Sequence, residues 1–199
     1  MTAIVVPFRG ASGKRRLDAP DELRAQLALA MLGDVVTACA ATTRTLVVTS
    51  DPAARGVVAE LGAEIVPDPG GGQGAAVAAA LVDLPDEPVL VVNADVPCVV
   101  PHDLRTLAHA AELGALGLVE AEDGTTNALA LPGPSAFAPL YGPGSAGRFR
   151  KHAAGIGLEA IGAAIPNLAD DVDTVADLER LTYRAGPRTQ AAVGVLSRA

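Results

Sequence analysis

Arg9, Lys14, Arg15 and Arg16 stand within eight positions of the segment "IVVPFRGASGKRRLD", in a chain with 15 Lys and Arg against 23 Asp and Glu and a net charge of −8. So much positive charge behind a short apolar run suits an anion with several charges, such as a chain of phosphates. Two further segments supply complementary chemistry. Asp95 closes the apolar run "PVLVVNAD", and glycines crowd "PDPGGGQGAA". A carboxylate ending a buried run is costly unless paired or metal-bound. Mg²⁺ is commonly held by one or two carboxylates plus phosphate oxygens, and glycines let the backbone approach a base or ribose closely. A phosphate chain with a divalent metal is the ligand that fits all three. The plainer alternatives are a solvated basic face and an Asp95 that caps the turn before Pro97.

Asp170, Asp171 and Asp173 form a second acidic group. Residues two apart in an extended segment share a side, so one of Asp171 and Asp173 could join Asp95 on a metal while the other caps a helix starting near Thr174. Helix capping by all three is the competing reading. Familiar phosphate motifs fail: Phe8 stands where a P-loop needs its first glycine, and Arg15 where it needs Ser or Thr. Gly70, Gly72 and Ala75 do fit G-x-G-x-x-G/A, which makes an NAD(P)-binding oxidoreductase the rival enzyme class. That motif follows the third strand rather than the first, and Pro67 and Pro69 interrupt it. His102, His109 and His152 lack zinc-ligand spacing, and neither Cys39 nor Cys98 has a histidine suitably placed for nucleophilic catalysis.

These segments need elements to hold them. "AIVVPF" (3–8), "TLVVTS" (45–50), "AEIVPD" (63–68) and "PVLVVNAD" (88–95) read as strands, and 21–41, 51–62, 75–84 and 101–113 as helices. A β-α alternation of this kind predicts a parallel sheet between helices, with ligands beyond the carboxyl ends of the strands. The second half is less regular. Residues 114–124 and 125–133 look like strands joined by an acidic turn, 140–155 is a Gly- and Pro-rich segment, and 174–186 a last helix. Residues 187–199 carry no clear pattern and are expected to pack along the surface or fray.

One domain suffices for 199 residues, divided into a nucleotide-binding half (1–113), an acceptor-binding half (114–186) and a tail (187–199). The chain is 50% hydrophobic but 3% aromatic with no Trp, so its core must be Ala, Val and Leu. An acidic balance and few aromatics exclude nucleic acid as a partner. Two cysteines without CxxC point to a reducing compartment. With no leader pattern and no span-length apolar stretch, the expectation is a cytoplasmic protein with no membrane partner.

"VPFRGASGKRRL", "DPGGGQGAAVAAAL", "VNADVP", "GTTNALAL", "YGPGSAGRF" and "DDVDTVADL" occur in that order. Together they resemble the guanylyltransferases of deazaflavin coenzyme (coenzyme F420) biosynthesis, which join GMP to 2-phospho-L-lactate or phosphoenolpyruvate. The resemblance spans about residues 3–182. It implies an α/β, Rossmann-like nucleotidyltransferase sandwich, with a mostly parallel sheet and an added antiparallel part. It also implies Arg9, Lys14 and Arg16 as catalytic contacts to the triphosphate, and Pro7, Gly72, Gln73, Gly74 and Asn93 around the nucleotide. Asp95 and Asp171 are implied as Mg²⁺ ligands, and Asn127, Gly142, Ser145 and Arg148 as contacts to the phosphorylated acid. Three departures stand out. Arg9 replaces the usual Lys, Gln73-Gly74 replaces Leu-Asn, and Asn93-Ala94 replaces a small residue and Gly.

The expected reaction is GTP plus a phosphorylated three-carbon acid giving a guanosine diphospho-acid and pyrophosphate. Phosphoenolpyruvate, 2-phospho-L-lactate and 3-phosphoglycerate are all candidate acceptors, and a nucleotide-binding regulator without catalysis is a further alternative.

Overall fold

Ile4, Val6, Leu90 and Val92 belong to the core on one face of a seven-stranded sheet, and Ala3, Val5, Val89 and Val91 to the core on the other. Side chains alternate along a strand, so an unbroken apolar run is what a strand covered on both faces requires. The computed structural model describes residues 1–10 and 20–196; Lys14, Arg15 and Arg16 lie outside the described residues.

Along the chain come β1 (Ala3–Pro7), α1 (Asp21–Ala40), β2 (Thr45–Val48), α2 (Pro52–Glu60), β3 (Glu64–Val66), α3 (Gln73–Leu81), β4 (Val89–Val92) and α4 (Pro101–Glu112). Then follow β5 (Leu116–Glu120), β6 (Thr126–Leu131), α5 (Ser145–Gly155), β7 (Ala160–Gly162), α6 (Pro166–Ala169), α7 (Val175–Leu181) and α8 (Pro187–Leu196). The strand order is β3-β2-β1-β4-β6-β5-β7. β6 pairs antiparallel with both β4 and β5, and the other pairings are parallel, so one strand runs against the rest. The chain steps outward from β1 in both directions. The carboxyl ends of β1 and β4 therefore flank the point where strand order reverses, the place where open α/β sheets bind ligands.

Helices α1, α2, α4 and α6 cover one face through Leu32, Val35, Val58, Leu104 and Leu168. The other face is covered by α3 and α5 through Ala76, Val77, Ala80 and Phe149. Small side chains let these layers approach closely, which accounts for a core rich in Ala and Val. By length and composition α1 would pass as a membrane span, yet 56% of that window is buried inside the fold.

Two segments depart from the sequence expectation. The Gly- and Pro-rich stretch contains a full helix, α5, whose Ala146, Phe149 and Ala153 are buried at helical spacing. The stretch 187–196, read as patternless, forms α8 and packs on α1. Its anchor is remote in sequence: the buried Asp34 carboxylate on α1 accepts from the backbone N–H of Arg188 at 3.1 Å and of Thr189 at 2.8 Å. A carboxylate at a helix N-terminus satisfies orphan amides and opposes the helix dipole. Gly186 lies so close to Asp34 that a Cβ there would overlap the carboxylate.

Candidate active site

The turn after β1 and the turn after β4 form two walls of a hollow of about 220 Å³ at the reversal point, lined by Arg9, Gly10, Asn93, Ala94 and Asp95. Ala28 and Met31 of α1 form its apolar side, and Gln73 and Asp173 complete it. β4 ends at Val92 rather than at residue 95, so Asp95 sits in the turn beyond the strand, half-buried.

Asp95, Asp171 and Asp173 converge. Each offers one carboxylate oxygen, and these atoms all lie within 4.8 Å of one another. A backbone hydrogen bond explains how distant segments meet: Val172 N–H donates to the Asp95 carbonyl at 3.0 Å. Val172 itself is buried in a cluster with Met31, Cys98 and Leu178. An extended segment with Val172 turned inward presents its two neighbours to the same side, which brings Asp171 and Asp173 to Asp95. Like charges this close repel by several kcal/mol at intermediate dielectric, so the donor set suits a hard divalent cation, which oxygen ligands prefer.

Capping does not explain these residues. The cap of α7 is Thr174, whose Oγ1 accepts from the Asp177 N–H at 3.2 Å while Asp177 Oδ2 accepts from the Thr174 N–H at 2.9 Å. Asp173 is therefore not the cap of α7; it joins Asp95 and Asp171 as a third carboxylate. Asp170 has another role. It accepts from Arg180 at 2.7 Å and Arg184 at 2.8 Å. Burial opposes its ionisation, but the two guanidinium hydrogen bonds outweigh burial and hold it below the usual carboxylate range. A second, acidic hollow of about 360 Å³ adjoins the cluster, lined by Glu122, Asp123, Asp171, Asp173 and Asp177 with Arg180.

A third hollow, about 490 Å³, lies over the glycine loop and is lined by residues 71–75, Ala78, Pro139 and Tyr141. Gly72 precedes α3 with φ 100°. Gly74 backs directly on Pro139: a Cβ would stand 2.6 Å from Pro139 Cβ and 2.9 Å from its Cα. Gln73 lines both this hollow and the one over Asp95, and its Nε2 donates to Asn93 Oδ1 at 2.7 Å. Two departures from the resembled family thus touch each other.

The four residues expected around the acid fall differently. Asn127 is 1% exposed and engaged at both ends, donating to the Ala169 carbonyl at 3.0 Å and accepting from Asn93 at 3.3 Å. Ser145 is buried, with its hydroxyl donating to Thr126 Oγ1 at 3.1 Å. Gly142 sits in the turn before α5 with φ 113°. The Arg148 guanidinium, expected as an anion contact, instead donates to the carbonyls of Leu140 (2.8 Å), Tyr141 (3.2 Å) and Pro143 (2.5 Å) and so staples that turn. None of the four lines the hollows over Asp95 or the glycine loop.

Both cysteines are buried. Burial pushes both thiols up, Cys39 most strongly. His152 faces the Ala136 carbonyl at 3.2 Å and His109 faces the Glu112 carboxylate at 3.6 Å.

Residues 21–156 match the family of MobA-like NTP transferase domains. A phosphoenolpyruvate guanylyltransferase of Streptomyces scabiei is 40% identical, covering 97% of this chain and 96% of its own. That of Streptomyces coelicolor is 41% identical, covering 94% and 93%. Among solved structures, a protein described as a nucleotide-diphospho-sugar transferase from Desulfovibrio desulfuricans G20 superposes with a TM-score of 0.79 at 16% identity, covering 99% and 95%. The fold is therefore that of the nucleotidyltransferases, as the family resemblance implied, and a glycine loop following β3 rather than β1 sets aside the NAD(P) oxidoreductase reading. Identity of this extent, over nearly the whole of both chains, places the protein in the phosphoenolpyruvate guanylyltransferase family.

Proposed function

We propose that the protein transfers GMP from GTP to phosphoenolpyruvate, releasing pyrophosphate, as a step of deazaflavin coenzyme (coenzyme F420) biosynthesis. The observation that carries this reading is the convergence of Asp95, Asp171 and Asp173 at the strand-order reversal, beside Arg9.

Those carboxylates fit Mg²⁺, which would supply charge neutralisation to the phosphates at this point. Nucleotidyl transfer asks mainly for positioning and electrostatic stabilisation. A phosphate oxygen of the acceptor forms the new bond to the α-phosphorus, the bond from that phosphorus to the β-phosphate bridging oxygen breaks, and its electron pair leaves on pyrophosphate. The acceptor phosphate is already ionised at neutral pH, so no general base is needed. Arg9 offsets charge on the departing pyrophosphate, as do Lys14 and Arg16 from the segment outside the described residues. Pro7, Gly72, Gln73, Gly74 and Asn93 form the nucleotide's surroundings. Gly142 and Ser145 act on the acid through the turn that Arg148 staples.

The test is pyrophosphate release with GTP and each acid. Phosphoenolpyruvate should be the preferred acceptor over 2-phospho-L-lactate and 3-phosphoglycerate, and Asp95→Asn should abolish release while leaving the thermal midpoint near that of the parent. Near-normal release from Asp95→Asn would overturn the assignment.

A further inference from the structure

Three side-chain amides run in a line from the metal-side segment to the mouth of the glycine loop, and the far end dictates their sense. The Ala169 carbonyl can only accept, so the buried Asn127 must turn Nδ2 toward it, at 3.0 Å. Asn127 Oδ1 then faces Asn93 and accepts from its Nδ2 at 3.3 Å, while the Thr126 carbonyl accepts from the same Nδ2 at 3.3 Å. Asn93 is thereby held with Oδ1 outward, and Gln73 Nε2 donates to that oxygen at 2.7 Å. Reversing any one amide would set oxygen against oxygen or N–H against N–H. The Gln73 side chain is left with the second N–H of Nε2 and with its Oε1 to present, and Oε1 has no hydrogen-bond partner among the described residues. Gln73 is half-buried at the first turn of α3 and lines both the hollow over Asp95 and that over the glycine loop.

We propose that Gln73 is a specificity-determining residue whose Oε1, oriented by Asn93 and Asn127 as positioning residues, accepts a hydrogen bond from the nucleoside of the bound nucleotide. The donor is a ribose hydroxyl or the guanine 2-amino group. This rests on the nucleotidyl-transfer reading above. Phosphate oxygens accept without donating, so a fixed carbonyl next to the phosphate hollow has no use for them. Its complement is the part of the nucleotide that carries O–H or N–H.

The experiment compares GTP with 2′-deoxy-GTP, 3′-deoxy-GTP and ITP, by kcat/KM for pyrophosphate release and, independently of turnover, by protection against thermal unfolding. In Gln73→Met, which keeps the side-chain length, preference for GTP over one of these analogues should fall about tenfold, the scale of one hydrogen bond. Preference over the others should hold. Loss confined to a deoxy nucleotide assigns a ribose hydroxyl, and loss confined to ITP assigns the 2-amino group. Asn93→Leu should lower the same preference by a smaller factor, a selective change that general loosening of the fold would not produce. Gln73→Leu serves as a second variant, with thermal midpoints compared throughout. If every preference stays within about twofold of the parent in both Gln73 variants while GTP is turned over, the relay has no part in selection and the proposal falls. If GTP neither turns over nor protects the parent protein, the nucleotide reading falls first, and this one with it.

Discussion

Replacing Asp173 by Asn removes one of three carboxylates whose ligand atoms lie within 4.8 Å of one another. Two unit charges at that separation repel by roughly 3–4 kcal/mol at an effective dielectric near 20. The residues are half-buried, so solvent and salt reduce the relief gained at Asp173 to about 1–2 kcal/mol. For a chain of this size each kcal/mol moves Tm by about 2–4 °C. In EDTA the Asp173→Asn protein should therefore melt about 2–8 °C above the parent. In Mg²⁺ the order should narrow or reverse, because a neutral amide is a poorer ligand than a carboxylate, and the Mg²⁺-induced rise in Tm should shrink. Scanning fluorimetry with and without Mg²⁺ reads both arms. A variant that melts lower in EDTA and responds to Mg²⁺ as the parent does would refute the idea that these three carboxylates repel one another and share a cation.

Asp34→Ala deletes the acceptor for two α8 amides and should lower stability by about 1–2 kcal/mol, seen as a reduced urea midpoint; an unmoved midpoint would mean α8 is held otherwise. Because burial raises the Cys39 thiol and shields it, iodoacetamide at mildly alkaline pH should label it only after unfolding, as mass spectrometry would report. Rapid labelling of the native protein would contradict the packing. Gly74→Ala places a methyl within 2.9 Å of the Pro139 backbone and should cost about 1–3 kcal/mol. Gly56→Ala, with nothing within 4 Å of its Cβ, should be neutral or stabilising in the same melts.

Readability of the sequence tracked how local the cause was. β1 and β4 announced themselves because a strand buried on both faces is apolar throughout, and the loops behind them pointed to Arg9 and Asp95. The α5 helix hid behind the glycines that introduce it: Gly142 and Gly144 shape the entry turn, while its helical identity comes from Phe149 meeting the core. α8 depends on Asp34, over 150 positions away, so no window of sequence contains both partners. Spacing singled out Asp171 and Asp173 but offered a cap and a ligand as alternatives. Sequence did not show that Thr174 and Asp177 cap each other, nor that a backbone bond joins Val172 to Asp95. Arg148 looked like an anion contact because its charge is visible in sequence, whereas the three carbonyls that occupy it are not.

The insertion of β6 between β4 and β5 has a consequence for how the protein is made. When the ribosome has released only the residues up to the end of α4, β1, β2, β3 and β4 can already associate, but Val89–Val92 has an open flank with a hydrophobic stretch on show. That flank closes only once Thr126–Leu131 emerges, and the acidic segment at 170–173 arrives later still. A nascent or prematurely terminated chain would thus be adhesive and inert together, with sticky backbone exposed and no means of gathering its three carboxylates, which makes the interval between these segments the period when a chaperone has most to shield.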